Sequence, residues 1–353
     1  MIKNSFILKV NKKNLVINYK FFKNLRKNII VAPTIKANAY GLGDKEIFNL
    51  LKKNGCKNFF VATLEEGIGL NNKNKNINIF VLNGIQNYSL KSFSNNNLIP
   101  IINTNLELSK VLKNNIRFGA HIDTGINRLG INFKSLPQSI FKSNKILVVM
   151  SHLSSADEKK NNYNNKQKNN FIKVINKFYY KNNILFSLSN SNGAVLSKSY
   201  LFDLIRPGIG LYGGNNKNYF LRKNLKPVIT LSGKIIQIKS INKNEYVGYN
   251  QTFKSKSKIK IAIVGVGYAD GIPRLLSNKG VVFYKESKFK IIGRISMDSF
   301  TIDISNCKHN LKVGTFVDII NDKHNIEYFA KTCNTISNEI ITSIGSRVKR
   351  IYV

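Results

Sequence analysis

The residue best suited to chemistry is Lys36, which follows the apolar run at residues 31–35 and precedes a glycine-rich turn, Gly41-Leu42-Gly43. A lysine enclosed by valine, isoleucine and alanine side chains is partly desolvated. Because desolvation disfavours the ammonium form, the pKa falls and the amine becomes a nucleophile or a base. The alternative is a solvated loop lysine. In a chain with 56 Lys and Arg residues, only the convergence of other residues on Lys36 argues against that alternative.

Further polar side chains follow apolar runs of the same kind. Arg128 lies with Asp123 on a turn bounded by glycine, and its planar guanidinium suits a carboxylate or a phenolate. His152 taken alone is more typical of a buried core histidine, and Arg206 taken alone is equally typical of an ion pair at a barrel rim. If the runs are parallel strands, these side chains all lie at one edge of the sheet, where barrel enzymes build their sites.

A GxGxxG pattern occupies Gly208, Gly210 and Gly213. A dinucleotide site is not favoured, because no Asp or Glu stands about 20 residues further on. Backbone N–H groups in this turn, with the hydroxyl of Ser191, instead favour a phosphate group.

A second glycine-rich turn, residues 265–271, carries Tyr268 far from the other candidates in the chain. Its turn-rich surroundings single this tyrosine out. Simple packing, the usual role of a tyrosine, is the alternative.

Eight short apolar runs predict strands in the first part of the chain, and segments of helical length follow most of them. The runs lie at residues 28–35, 58–62, 77–82, 98–102, 117–122, 146–150, 184–187 and 204–205. Eight β/α units in roughly 220 residues fit a (β/α)8 barrel of the TIM type, with a doubly wound open sheet as the alternative. The position of the polar residues at the ends of the runs favours the barrel.

From about residue 225 the runs become short and partly alternating, with turn residues between them, which predicts a mainly-β domain. The predicted organisation is therefore an N-terminal (β/α)8 barrel over residues 1–224 and a C-terminal β-rich domain over residues 225–353.

The formal charge of +38 suggests a nucleic acid or an anionic membrane as partner, but lysine is spread beside asparagine along the whole chain. AT-rich codons explain this bias, so we predict neither partner. Three isolated cysteines, Cys56, Cys307 and Cys333, predict a reducing cytoplasm and no metal site. The first residues do not look like a signal peptide, and no apolar run approaches the length of about 20 residues that a membrane helix needs.

Taken together, these stretches resemble alanine racemases, the pyridoxal-phosphate enzymes with a barrel and a β domain. The matching stretches, in chain order, are residues 36–41 (KANAYG), 121–130 (HIDTGINRLG), 151–157 (SHLSSAD), 190–191 (NS), 206–213 (RPGIGLYG), 267–271 (GYADG), 293–298 (GRISMD) and 350–352 (RIY). Each match is modest evidence, but their order along nearly the whole chain is specific.

The resemblance implies a two-base racemisation of L-alanine and D-alanine that supplies peptidoglycan. Lys36 would hold pyridoxal 5'-phosphate as a Schiff base and act as the base on one face of the substrate. Tyr268, contributed by the other subunit of a homodimer, would act on the opposite face, since racemisation removes the α-proton from one side and returns it to the other.

The resemblance also implies how the cofactor and substrate are held. Arg206 would face the pyridine nitrogen and keep it unprotonated, because a guanidinium does not give up its proton. Arg128 would meet the phenolate oxygen and the substrate carboxylate, with the backbone of Met297, and His152 would join the network around the ring. The phosphate would be held by Tyr40, Ser191, the backbone of Gly208 and Ile209, and Tyr352.

Two positions depart from the family pattern. His121 stands where many members carry a carbamylated lysine, so either a bound chloride or no anion must be supposed there, and Ser187 stands where a histidine is frequent. A racemase of serine or another small amino acid, and a cofactor-holding protein with little turnover, are the alternative functions.

Overall fold

The structure, a computed structural model, describes residues 5–179, 181–214 and 218–353. The strands are β1 (Phe6–Val10), β2 (Ile30–Val31), β3 (Asn58–Val61), β4 (Asn78–Val81), β5 (Leu98–Ile102), β6 (Phe118–Asp123), β7 (Ile131–Asn132), β8 (Ile146–Met150), β9 (Leu185–Ser187), β10 (Leu204–Ile205), β11 (Ile229–Ile241), β12 (Tyr246–Val247), β13 (Phe253–Lys254), β14 (Ile259–Val264), β15 (Val281–Tyr284), β16 (Ser287–Ile292), β17 (Phe300–Asp303), β18 (Phe316–Ile320) and β19 (Lys349–Tyr352). The helices are α1 (Lys12–Lys23), α2 (Lys36–Tyr40), α3 (Asp44–Lys53), α4 (Leu64–Gly69), α5 (Leu90–Asn95), α6 (Asn105–Lys113), α7 (Gln138–Lys142), α8 (Tyr163–Ile175), α9 (Tyr219–Asn224), α10 (Ile326–Thr332) and α11 (Ser337–Thr342).

Eight parallel strands curl into a barrel in the first unit. β3, β4, β5, β6, β8 and β9 pair in that order, and β10 pairs with β2. Backbone hydrogen bonds between Phe60 and both Pro33 and Ile35, each 2.9 Å, join β2 to β3. A bond of 2.9 Å from Arg206 N–H to the Ser189 carbonyl joins β9 to β10. The predicted barrel is confirmed, and the open sheet is excluded.

The barrel strands are mainly apolar, because helices cover their outer face and side chains of the strands themselves fill the inner one. Phe60 and Phe80 stack with ring centroids 4.9 Å apart. Their cluster of buried side chains also contains Ala32, Ile99, Ile101, Val148, Met150 and Leu204. This packing fixes the strand ends, which carry the candidate site residues.

The second unit is built on an eight-stranded sheet in the order β14, β17, β16, β15, β18, β11, β1, β19, with a further pairing between β14 and β11. Its pairs are antiparallel except the one between β1 and β19. The C-terminal β domain is therefore present as predicted. Residues 5–14 also lie in this unit, whereas the sequence-based boundary places them in the barrel. The reason is that β1 is bonded on both edges, to β11 and to β19.

None of the helices in the described ranges is long and apolar enough to cross a membrane. Cys56, Cys307 and Cys333 are all free thiols.

Candidate active site

Lys36 opens a left-handed turn of the backbone. α2 has positive φ angles at Ala37 (51°), Asn38 (54°), Ala39 (51°) and Tyr40 (55°). A left-handed conformation costs an L-residue roughly 1–2 kcal/mol, and such strain persists only where the surrounding structure fixes it. Four consecutive non-glycine residues in this region therefore show that the chain after Lys36 is held in place from outside.

Glu66 is the residue that holds the beginning of this turn. One carboxylate oxygen accepts the Ala37 N–H at 2.7 Å, and the other accepts the Ala62 N–H at 2.6 Å. Glu66 also completes the capping box of α4 with Thr63, as its spacing in the sequence predicts. One carboxylate thus ties α4, the end of β3 and the Lys36 turn together.

The surroundings of Lys36 lower the pKa of its amine. Burial lowers the pKa of Lys36, the charge of Arg128 lowers it further, and Glu66 partly opposes the shift. The direction agrees with the desolvation predicted from the apolar run. A half-buried lysine with a lowered pKa is suited to attack a carbonyl group or accept a proton.

Two hydroxyl groups that can donate to a phosphate, those of Ser191 and Tyr40, lie at the turn that follows β10. The Ser191 hydroxyl oxygen accepts the N–H groups of Gly208 and Gly210, both at 3.0 Å. A Cβ on Gly208 would come within 2.2 Å of the Tyr40 hydroxyl, so this glycine lets the tyrosine reach the turn. Burial raises the pKa of Tyr40 to about 12, which keeps its hydroxyl a donor. The residues present here fit the phosphate of the predicted cofactor.

Arg206 is buried among neutral acceptors. Its guanidinium donates to the Ser187 hydroxyl, to the Ser151 carbonyl at 2.6 Å and to the Leu188 carbonyl at 3.4 Å. Burial and the charge of Arg128 lower the pKa of Arg206 to about 9, which leaves it protonated at neutral pH. The Ser187 hydroxyl in turn donates a hydrogen bond to the Leu204 carbonyl at 2.7 Å. The serine therefore serves as an uncharged hydrogen-bond partner of Arg206.

His121 is a buried histidine with a defined tautomer. Its Nδ1 lies 3.1 Å from Oδ1 of Asn103, whose amide nitrogen donates to the carbonyls of Leu82 and Ile101 at 3.0 Å each. Oδ1 must therefore accept from Nδ1–H, and Nε2 carries a lone pair. Nε2 has no partner within the described residues.

The charge state of His121 follows from its burial. Desolvation, with the charges of Arg206 and Arg128, lowers the pKa of His121 to about 3, so the ring is neutral. A lone pair repels an anion. The choice between a bound chloride and no anion at this position stays a prediction.

His152 completes the group of side chains at the strand ends. Burial lowers its pKa well below the ordinary value, and the charges of Arg206, Arg128 and Lys36 act in the same direction. In the chain, His152 follows β8, Arg206 follows β10, Arg128 follows β6 and Lys36 follows β2. The carboxyl ends of the barrel strands thus gather them as the sequence predicts, although Arg128 itself is exposed.

Three predicted site residues belong to the β unit. Tyr268 begins a short 3-10 helix, Tyr268–Asp270, and its side chain is 45% exposed. Met297 is 53% exposed, and its carbonyl accepts the Ala269 N–H at 3.0 Å, so the two predicted residues are neighbours. Tyr352 lies in β19. The approach of these three residues to Lys36 stays a prediction.

Glu66 and Asn103 are site residues that the sequence reasoning missed. Glu66 gave a signal only as a helix cap, and Asn103 gave none, because its role depends on a histidine 18 residues away. Gly210, which lies in the recognised glycine pattern, donates its N–H to Ser191.

Comparison with known proteins gives a consistent result over the whole chain. The family model described as the alanine racemase N-terminal domain matches residues 10–216, and the model of the C-terminal domain matches residues 228–352. The chain is 38% identical over 340 residues to the alanine racemase of Rickettsia bellii, covering 92% of this chain and 82% of that one. It is 35% identical over 360 residues to the alanine racemase of Rickettsia africae, covering 98% of each.

A solved structure of alanine racemase from Bartonella henselae, described with covalently bound pyridoxal phosphate, superposes with a TM-score of 0.90. Its sequence identity is 32%, and the match covers 99% of this chain and 100% of that one.

Proposed function

The chain belongs to the alanine racemase family, and we propose that it interconverts L-alanine and D-alanine with Lys36 and Tyr268 of the partner subunit as the two bases. It is an isomerase that depends on pyridoxal phosphate. The assignment of the first base rests on the environment of Lys36. Its pKa is lowered, and it stands on a fixed left-handed turn in the same barrel unit as a phosphate cradle.

The chain's residues divide the work of the reaction. Bound pyridoxal phosphate withdraws electrons from the substrate and so acidifies its α-carbon. The Lys36 amine accepts or returns the α-proton on one face, and the Tyr268 hydroxyl does so on the other. Tyr40, Ser191 and the turn at Gly208 and Ile209 hold the phosphate, and Tyr352 would add a further hydroxyl.

Arginines set the charge around the reacting groups. Arg206 would face the pyridine nitrogen of the bound cofactor; being protonated at neutral pH, it would keep that nitrogen unprotonated and so limit side reactions such as transamination. Arg128 binds the substrate carboxylate. The Met297 N–H has no acceptor among the described residues and is a second donor for the carboxylate. His152 supports the ring network.

Several features follow from the assignment. We infer a homodimer with shared active sites, because Tyr268 is exposed in the β unit of its own chain. We infer a cytoplasmic location, which the three free thiols support, and a supply of D-alanine to peptidoglycan. The width of the substrate pocket decides whether serine is also accepted.

Exchange of the α-proton tests the function directly. The protein, purified with pyridoxal phosphate, is incubated with L-alanine in D2O, with L-serine in parallel, and the products are separated by chirality. We expect deuterium in the α-position and the appearance of D-alanine. Cofactor-loaded protein that shows neither would support the alternative of a cofactor-holding protein with little turnover. A preference for L-serine would show that the substrate is serine and not alanine.

Mixing two inactive variants tests the shared site. Lys36→Ala and Tyr268→Phe chains are each expected to be nearly inactive, whereas mixed dimers contain one site with both bases intact. Activity regained on mixing supports the shared arrangement. No recovery in a mixture shown to contain hybrid dimers would contradict it.

A further inference from the structure

The side chain of Arg347 joins two loops of the β unit that each carry a residue of the proposed site. Its Nε lies 3.0 Å from Oδ1 of Asp270, and its Nη1 lies 2.9 Å from Oδ1 of Asp298. Asp270 is two residues after Tyr268, and Asp298 is the residue after Met297. One guanidinium therefore ties the loop of the proposed tyrosine base to the loop of the proposed carboxylate donor.

The two loops also meet through their backbones. The N–H groups of Tyr268 and Ala269 donate to the carbonyls of Ser296 and Met297 at 3.1 and 3.0 Å. A Cβ on Gly267 would lie 2.2 Å from the Met297 carbonyl oxygen, so the loops are as close as a glycine allows. The separation of Tyr268 from Met297 is thus set within this unit.

The Asp270 carboxylate needs both of its observed partners. The residue is only 6% exposed, and its second oxygen accepts the Gly267 N–H at 3.0 Å. Loss of Arg347 would leave a buried carboxylate without its cation, which is costly and favours a rearrangement of the loop. The Tyr268 side chain is 45% exposed, so packing does little to hold it and its place depends on this backbone.

We propose that Arg347 is a positioning residue that fixes the Tyr268 hydroxyl relative to the Met297 N–H. The inference rests on the proposed function, in which the first group moves a proton and the second binds the carboxylate of the same substrate. In this proposal Arg347 acts through its ion pairs with Asp270 and Asp298 and not on the substrate itself. Its loss should impair proton transfer on the tyrosine face and spare transfer by Lys36.

Exchange of the α-proton of each alanine enantiomer in D2O separates the two faces. The Tyr268→Phe variant first identifies the enantiomer whose exchange depends on the tyrosine. In Arg347→Ala we expect exchange of that enantiomer to fall about tenfold to a hundredfold, as for a small misplacement of a reacting group, and that of the other to change less than about twofold. Adding Arg347→Ala to Tyr268→Phe should cause little further loss.

Two other variants define the specificity of the effect. Arg347→Lys keeps one charge without the planar fork and should restore part of the exchange. Arg222→Ala removes an arginine that stacks on Tyr219, 5.3 Å from its ring centroid, in the other unit and should leave both exchange rates unchanged. Molecular mass, circular dichroism and cofactor absorbance are compared with the wild type at the concentration of the assay.

Several results would overturn the proposal. Equal loss for both enantiomers, with fold and cofactor retained, would show a general structural role. Unchanged exchange would show no role, and a variant that never reaches the wild-type mass would place Arg347 in subunit association. If the wild-type protein exchanges neither enantiomer, the proposed function is wrong, and the role proposed for Arg347 is wrong as well.

Discussion

The Glu66 carboxylate accepts the backbone N–H of Ala37 at 2.7 Å, one residue after Lys36 and across 29 positions of the chain. The same carboxylate bonds the Ala62 N–H at the end of β3. It therefore links the proposed lysine base to the neighbouring barrel strand, and its negative charge partly opposes the lowered pKa of that lysine.

Glu66→Gln should weaken the turn and alter Lys36. Glutamine offers one carboxamide oxygen to the backbone N–H groups of Ala37, Ala62 and Thr63, so at least one N–H loses its acceptor at a cost of about 1–3 kcal/mol. Loss of the charge should lower the pKa of Lys36 further. Urea unfolding measures the first effect, and the pH dependence of Lys36 acetylation in cofactor-free protein measures the second. Glu65→Gln, at an exposed neighbour, is the control, and equal effects of both variants would refute the link.

Ala37 should tolerate glycine better than valine. Its φ of 51° disfavours any L-side chain, and a β-branched one most of all, whereas glycine adopts this angle freely. Because Ala37 is exposed, packing changes little, and we expect Ala37→Val to be less stable than Ala37→Gly by about 1–2 kcal/mol. Urea unfolding of both variants checks the order. Equal or reversed stabilities would argue against a left-handed turn.

Gly208→Ala should weaken cofactor binding. The new Cβ would meet the Tyr40 hydroxyl at 2.2 Å and push it from the turn, which would displace a donor proposed for the phosphate. Loss of one or two charge-assisted hydrogen bonds of about 1.5–3 kcal/mol each predicts at least about a tenfold rise in the Kd for pyridoxal phosphate. Titration followed by absorbance measures it. Gly69→Ala, with open space around its Cβ, is the matched control. A similar Kd in both variants would contradict phosphate binding at the Gly208 turn.

His121 should make the protein sensitive to acid. Its pKa is lowered to about 3 by burial, against an ordinary value of 6.5, so the unfolded chain binds a proton more readily. This contribution to stability is complete above pH 6.5 and is lost as the pH falls toward 3. At pH 5 one such histidine costs about 2 kcal/mol.

His121→Asn should therefore show a shallower fall in the free energy of unfolding between pH 7 and pH 5, as measured in urea. His309→Asn, at a histidine whose side chain is 30% exposed, serves as the control. If His121→Asn loses stability with acid as steeply as the wild type, His121 is not the buried neutral group described above.

The sequence alone determined the strands and the chemical types at their ends. The eight barrel strands were foreseeable because burial on both faces demands short, continuous apolar runs, which are local patterns. The ends of such runs carry Lys36, His152 and Arg206. Their positions therefore predicted a parallel sheet with the candidate site at one edge. The capping box of Thr63 and Glu66 was equally local.

Tertiary structure decided what depends on distant partners. Alanines such as those after Lys36 favour a right-handed helix, and only contacts such as the Glu66 carboxylate make the left-handed turn observed. β1 joined the β unit because its two partner strands lie more than two hundred residues away in the chain. The tautomer of His121 and the ion pairs of Arg347 likewise depend on side chains that meet only in the folded protein. Hydrogen bonds and burial are set by neighbours in space and not by neighbours in the sequence.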